Sequence, residues 1–425
     1  MLVTRFLGDR KGAVAPLLGL MMIPIMGAIG TSVDYHRLAA VHSAMQSALD
    51  ATGLMLSKTA KDLDQATRDQ KASDYFKAVF NHPEAKDVTV TSGLTQPQQG
   101  SYTLALTGTA KVDTLFGSFI GKSQVDLSAS AEIVWGIKKL NLALALDNTG
   151  SMASSGKMTA LKEAAHNLLS TLQAASKTPG DIQVSIVPFA VDVNVGTSNV
   201  GATWIDWVDW EEVNGSCSKN NHHTKSDCVS NGKVWTTDAH STWNGCVNDR
   251  DQNNDVLNTN AVAGTPPTMY RAHQAAACPA AMMSLSSDWT ALNAKIDAMT
   301  PTGSTNVTIG LQTAWQTLTT GVPFNAPESA TYLDRVIILL TDGTNTQNRW
   351  TLSSTSIDAR TERACTNAKA DSIKLYTVRV IDGNATLLRN CATTPDMYYD
   401  VQDASQLNAT FTAIAQNLAN LRIVK

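Results

Sequence analysis

From Gly12 to Val33 the chain carries no ionisable side chain. A run of roughly 22 residues reaches about 33 Å as a helix, enough to cross the hydrocarbon core of a bilayer, where only helices and closed barrels satisfy their backbone polar groups. The run is too long for the apolar region of a cleaved signal peptide, and no clear small-x-small cleavage site follows it. Arg5, Arg10 and Lys11 precede it and Asp34 follows. The positive-inside tendency therefore leaves residues 1–11 in the cytoplasm, makes 12–33 a single N-terminal transmembrane helix, and puts the rest of the chain outside. Pro16 and Pro24 are tolerable in a membrane helix, though each removes a backbone donor. Further on, Leu38, Val41, Met45, Ala48, Thr52 and Met55 fall three or four apart, so the helix is expected to continue beyond the bilayer and to need a packing surface.

The whole chain has 425 residues, enough for two or three domains each with its own core. Charged residues make up only 16%, with 33 basic against 37 acidic, so no cationic excess exists to neutralise phosphates and nucleic acid is not an expected partner. Over 34–136 the reading is an extended helix plus a small α+β unit, with strands at Val88–Thr91, Tyr102–Val112 and Gln124–Trp135 and a turn-rich stretch at Ser92–Ser101. From 138 to 425 the pattern changes. Buried strands at Leu140–Leu146, Ile182–Pro188, Arg335–Leu340, Leu375–Ile381 and Met397–Val401 alternate with helical faces. These faces carry Met158, Leu161 and Leu168; Trp289, Leu292 and Ile296; Ile309, Ala314 and Leu318; and Leu407, Phe411 and Ile414. The expected class is α/β, a doubly wound and mainly parallel sheet covered on both faces. At about 192–287 the rhythm stops in a stretch holding four of the Cys and most of the Trp, read as an insertion.

The first apolar strand runs into Asp147-Asn148-Thr149-Gly150-Ser151-Met152. Alternate side chains of a tight turn can converge, here supplying a carboxylate and two hydroxyls, hard oxygen donors of the kind Mg²⁺ prefers. Thr305, in Thr302-Gly303-Ser304-Thr305-Asn306, adds a third hydroxyl or serves with Ser304 as a helix cap. The strand at Val336–Thr341 also ends in an acidic turn, Asp342-Gly343. Parallel strands that both end in Asp can bring the carboxylates together at the sheet's C-terminal edge, where the pair would repel without a cation.

These motifs resemble the von Willebrand factor A domain with its metal-ion-dependent adhesion site. The resemblance implies that Thr149 and Ser151 bind Mg²⁺ (or Mn²⁺) directly, Asp147 and Asp342 largely through water, and Thr305 according to the state of the site, with an acidic side chain of a protein partner completing the octahedron. The family often has Ser where Thr149 stands and Gly where Ser304 stands; neither change removes a ligand. The segments Arg10–Pro16, Val33-Asp34-Tyr35 and Met45–Ala51 resemble TadE/TadG-type proteins of bacterial tight-adherence (Flp) pilus systems, as do Cys278-Pro279 and Pro323-Phe324. That resemblance implies a bacterial inner-membrane anchor carrying a bulk in the periplasm or at the cell surface, with a pilus or envelope component as partner. Pseudopilins of such systems carry a Glu where this chain has Leu17, so permanent anchoring is expected over processing.

Six Cys outside the membrane default to disulfides. Cys365 and Cys391 stand apart from the other four and are expected to pair, closing about 25 residues at roughly 3 kcal/mol in the chain-entropy model. Cys217, His222, His223 and Cys228 fit no standard zinc spacing. Asp249, Asp251, Asn253 and Asp255 imitate half a calcium loop but lack its Gly and Glu, and read as a solvated acidic turn. His166 is placed on an exposed helix face. No G-x-S-x-G, P-loop or H-E-x-x-H occurs, and no general base is visible beside the oxygen cluster, so no enzymatic turnover is expected. The alternative to metal-dependent binding is a structural scaffold or minor pilus component that attaches through the insertion's Trp204, Trp207, Trp210, Trp235 and Trp243.

Overall fold

A computed structural model describes residues 14–98, 101–137, 139–327, 333–421 and 423–424. The chain divides into two compact units, residues 1–136 with 424–425, and residues 137–423.

In the first unit, helix α1 (Val14–Ser57) runs through Pro24 without a break. Residues 1–11 and the first two residues of the expected span lie outside the described residues, as do the side chains of 14–18. Among the described residues no helix is long and apolar enough to cross a membrane. Leu20, Ile23, Ile25, Met26 and Ile29 are exposed, whereas further along Val41, Met45, Leu49 and Leu56 are buried. That buried stripe meets α2 (Gln65–Val79), capped by Asp64 on the Thr67 amide, and an antiparallel meander of β1 (Ala85–Gln98), β2 (Ser101–Asp113) and β3 (Gln124–Ile137). β1 outruns the sequence reading. The stretch from Ser92, read as a turn, stays in register with β2 as far as Thr95 opposite Thr103, because cross-strand pairing outweighs the turn preference of Ser, Gly and Thr.

In the second unit, β4 (Lys139–Asp147) lies between β5 (Ile182–Phe189) and β6 (Leu333–Thr341), and β7 (Lys374–Val380) and β8 (Tyr398–Val401) follow outward from β6, all parallel. Met283–Ser286 pairs antiparallel with β5, so it belongs to the central sheet rather than to the stretch read as inserted. Odd and even positions of the strands face opposite sides. On one side Leu142, Leu144, Ile186 and Ile338 pack on α3 (Lys157–Ala175), α4 (Trp289–Asp297) and α8 (Leu407–Leu421). On the other, Ala143, Phe189 and Leu339 pack on α5 (Val307–Thr317), α6 (Ser354–Ala370) and α7 (Ala385–Cys391). The chain order of the strands reverses between β4 and β6, which places a switch point beyond their carboxyl ends.

The insertion continues the sheet rather than hanging from it. Val193–Asn194, Cys246–Asn248, Tyr270–Ala272 and Ile205–Asp206 extend it in that order. Trp204, Trp210 and Trp243 are 8%, 1% and 2% exposed and share one core with Leu311 and Trp315 of α5. This corrects the alternative reading of those three side chains as an attachment surface: indole area of this size is more favourably buried against α5 than left in water. Disulfides join Cys217–Cys228, Cys246–Cys278 and Cys365–Cys391. The thiols of the zinc-like cluster are thereby consumed, and His222 pairs with Asp227 instead.

Candidate metal centre

Strand β4 delivers Asp147 to the switch point, fully buried. The turn that follows folds back on it. Thr149 donates to Asp147 Oδ1 from its amide at 2.8 Å and its hydroxyl at 2.5 Å. On the other carboxylate oxygen, Thr341 Oγ1 at the end of β6 donates at 2.6 Å. One residue later Asp342 Oδ1 accepts from Ser151 Oγ at 2.6 Å, and Ser151 Oγ lies 2.9 Å from Thr149 Oγ1. Residues 191 positions apart are thus joined through one chain of hydroxyls.

The third loop is stitched to the first. Gly150 N donates to Gly303 O at 3.0 Å, Thr302 N to Asn148 O at 2.7 Å, and Asn148 Nδ2 to Thr300 O at 2.7 Å. Gly303 has φ of 76°, a conformation that favours glycine, and the space beside it is tight, a Cβ there standing 3.2 Å from the Ala277 methyl. Thr305 is buried, and its main chain is held by Thr346: N to Thr346 Oγ1 at 2.8 Å, O from Thr346 N at 2.9 Å. Its hydroxyl comes up against Gly343, where a Cβ would lie 3.4 Å from Thr305 Oγ1 and 3.6 Å from Ser151 Oγ. The cap of α5 is Asn306, not Thr305 or Ser304, so the Thr305 hydroxyl is not committed to a helix end. All five residues singled out in the sequence, Asp147, Thr149, Ser151, Thr305 and Asp342, come together.

Lys157 was missed. It opens α3 almost wholly buried, its Nζ 2.5 Å from Asp342 Oδ2. That oxygen has an ion pair but no aligned hydrogen-bond donor. A cation in the first turn of a helix runs against the dipole, and this mismatch at Gly156-Lys157 is the signal that could have flagged it. Burial first, and then the Asp342 carboxylate, push Asp147 up to about 6 against its amide and hydroxyl donors. Ser151, by contrast, is exposed and marks the open side.

Two carboxylates and three hydroxyls form a hard-oxygen set, and a buried carboxylate oxygen without a directional partner sits within it. The residues fit a small divalent cation such as Mg²⁺ or Mn²⁺. Among the described residues no group of three or more His, Cys, Asp and Glu could hold a metal; here hydroxyls make up the remainder.

The calcium-like stretch does something else. Asp249 is buried and accepts from Asn306 Nδ2 and, at 3.1 Å, from Arg349 N. Asp251 pairs with Arg271 and Arg349, and Asp255 with Arg360. The solvated turn expected there is instead a paired segment that ties the insertion to the loops beside Thr305 and after Asp342 through Asn306 and Arg349, and to α6 through Arg360, since a carboxylate shielded from water must be paired. Burial pushes Asp249 up to about 7, opposed by those donors and aided by Asp255 and Asp192. His166 is not free either: its ring nitrogens meet Asn293 and Asp297.

The family profile of the von Willebrand factor type A domain matches residues 273–413, and that of the putative Flp pilus-assembly TadE/G-like family matches 12–55. The chain thus carries a TadE/G-like match near its N-terminus and a von Willebrand A match in its C-terminal half. The matched A-domain span contains Thr305 and Asp342; Asp147, Thr149 and Ser151 precede the insertion and are brought to them by the pairing of β4 with β6. Among solved structures, the pilus adhesin SpaC from Lactobacillus rhamnosus GG is similar at 14% identity and a TM-score of 0.40, over 81% of this chain and 36% of that one. The von Willebrand domain of the type V pili tip protein Mfa5 from Porphyromonas gingivalis gives 10% identity and a TM-score of 0.39, over 67% of this chain and 97% of that one. Proximal thread matrix protein 1 from the mussel byssus, with a zinc-occupied MIDAS motif, gives 11% and 0.36, over 67% and 48%. The chain thus spans about a third of the length of SpaC. Among curated proteins none matches.

Proposed function

We propose that the protein is a membrane-anchored, extracytoplasmic binding protein of a tight-adherence pilus system, whose A domain takes an acidic group of a protein partner at a divalent-cation site. The observation that carries this reading is the convergence of Asp147, Thr149, Ser151 and Asp342 at the sheet's switch point, with Ser151 on the open side. Thr149, Ser151, Asp147 and Asp342 would hold the cation, and Thr305 would join or leave it. Bound there, Mg²⁺ or Mn²⁺ would supply positive charge to which a partner's carboxylate could ligate. The protein's own residues do the rest. Thr149 and Thr341 orient Asp147, Lys157 offsets the charge of Asp342, and the Gly150–Gly303 bond holds the loops in register. The anchor reading rests on the uncharged run 12–33, the exposed apolar side chains of α1 and the TadE/G-like match over 12–55. It sets residues 34–425 outside the cytoplasm, where three disulfides are stable.

Titrating the purified protein with Mg²⁺ or Mn²⁺ is expected to raise the melting temperature of the A domain, and Asp342→Ala to abolish the rise. A melting curve indifferent to either ion in the intact protein would overturn the metal reading.

A further inference from the structure

The connection between β2 and β3 presents apolar side chains to solvent and is nevertheless firmly held. Leu115 is 55% exposed and Phe116 42%. Asp34 of α1, itself buried, accepts from the amides of Leu115, Phe116 and Gly117, each at 2.8 Å. One turn earlier on the helix, Gly30 makes room for Phe116: a Cβ there would lie 2.6 Å from its ring. These contacts hold the loop level with residues 30–34, the place where the uncharged run of α1 ends. On the N-terminal side of that level Ile23, Ile25, Met26 and Ile29 are 73%, 55%, 67% and 61% exposed. On the other side follow Tyr35, 75% exposed, and then His36 and Arg37.

We propose that Leu115 and Phe116, at the start of the connection between β2 and β3, form a second membrane contact, seated in the interfacial zone of the bilayer that α1 crosses. The inference rests on the reading of 12–33 as a span. The exposed surface of Leu115 and Phe116 adjoins the apolar surface of the helix, so one lipid layer covers both, and Tyr35 stands at the same boundary, where amphipathic rings collect. The Asp34 cradle serves this position. Near lipid an unpaired amide is costly, and one carboxylate satisfies three of them while fixing the loop's depth. Lys122, exposed at the loop's far end, suits the phosphate layer.

Among the described residues every cysteine is in a disulfide, so single added cysteines can carry an environment-sensitive nitrobenzoxadiazole label. The full chain would be labelled as Ile25→Cys, Leu115→Cys or Thr95→Cys and reconstituted at low protein density in phosphatidylethanolamine–phosphatidylglycerol vesicles, without doxyl lipid and with lipids carrying doxyl at a shallow and at a deep acyl position, so that labels at the interface and at the bilayer centre both have a quencher at their depth. Thr95 pairs with Thr103, ten strand positions from Asp113 and about 33 Å from the loop. The expected result is a blue shift and loss of emission to doxyl lipid for the labels at 25 and 115 and neither for the label at 95. Phe116→Cys gives the same readout one residue on. Quenching at 25 without quenching at 115 and 116 overturns the loop contact and leaves the span standing. No quenching at 25 removes the span and the loop contact with it. Emission at 115 that follows protein density but ignores doxyl lipid means that a second copy covers the loop, and also overturns the proposal.

Discussion

Lys157 and Asp342 face each other across 2.5 Å with side chains 4% and 0% exposed. Removing one partner of such a pair strands a charge away from water and typically costs about 3–5 kcal/mol. Lys157→Met is therefore expected to lower the chelator-treated A domain's stability by that order in denaturant unfolding. It should also enlarge the melting-temperature rise produced by Mg²⁺, because the ammonium no longer competes for Asp342. An unchanged metal response would show that Lys157 is merely structural. Asp249 makes a second prediction. Its folded value of about 7 lies above the ordinary carboxylate value of 3.8, so the folded state binds the proton more tightly than the unfolded chain. Its contribution to stability is full below about pH 4 and is lost as pH rises through about 7. The difference between wild type and Asp249→Asn, taken from urea unfolding at several pH values, should change by a few kcal/mol across that window. Asp147 is pushed the same way but cancels in the difference; a flat difference would mean that Asp249 is already ionised in the fold.

At the scale of elements, the insertion acts as an extension of the sheet. Cys246 opens a strand next to Val193–Asn194, and its partner Cys278 directly follows Ala277, whose methyl lies against the space beside Gly303. The bridge closes a separation of 32 residues, for which loop entropy alone gives about 3–4 kcal/mol. Replacing both cysteines by Ser should lower A-domain stability by up to that amount and, because Gly303 accepts from Gly150, weaken metal binding as well. Cys217→Ser with Cys228→Ser, at a separation of 11, should leave metal binding unchanged. Titration calorimetry with Mn²⁺ on the two double variants distinguishes them, and equal affinities would sever the link from the insertion to the site.

The whole molecule has separate cores in its two units, one built on Met45, Leu49, Phe76 and Leu104, the other two on the faces of the parallel sheet. Scanning calorimetry of the detergent-solubilised chain should resolve two transitions, with Mg²⁺ and Asp342→Ala moving one of them only. A single transition displaced as a whole would contradict independent units.

Periodicity made much of this fold legible. The strands from Leu140, Ile182 and Arg335 and the faces of α3, α4, α5 and α8 follow from side-chain spacing, because apolar residues two or about 3.6 apart can bury together in only one kind of element. The oxygen cluster was legible for a related reason: acidic turns that end neighbouring parallel strands share an edge. Other features required tertiary structure. Ser92–Thr95 became strand through its partner, Asn306 took the cap, Met283–Ser286 joined the sheet, and the insertion's tryptophans turned inward. Lys157 and Asp249 acquired their meaning only from groups far away in sequence. Local spacing specifies what a segment can form, whereas charge pairing and burial depend on neighbours that the fold alone brings within reach.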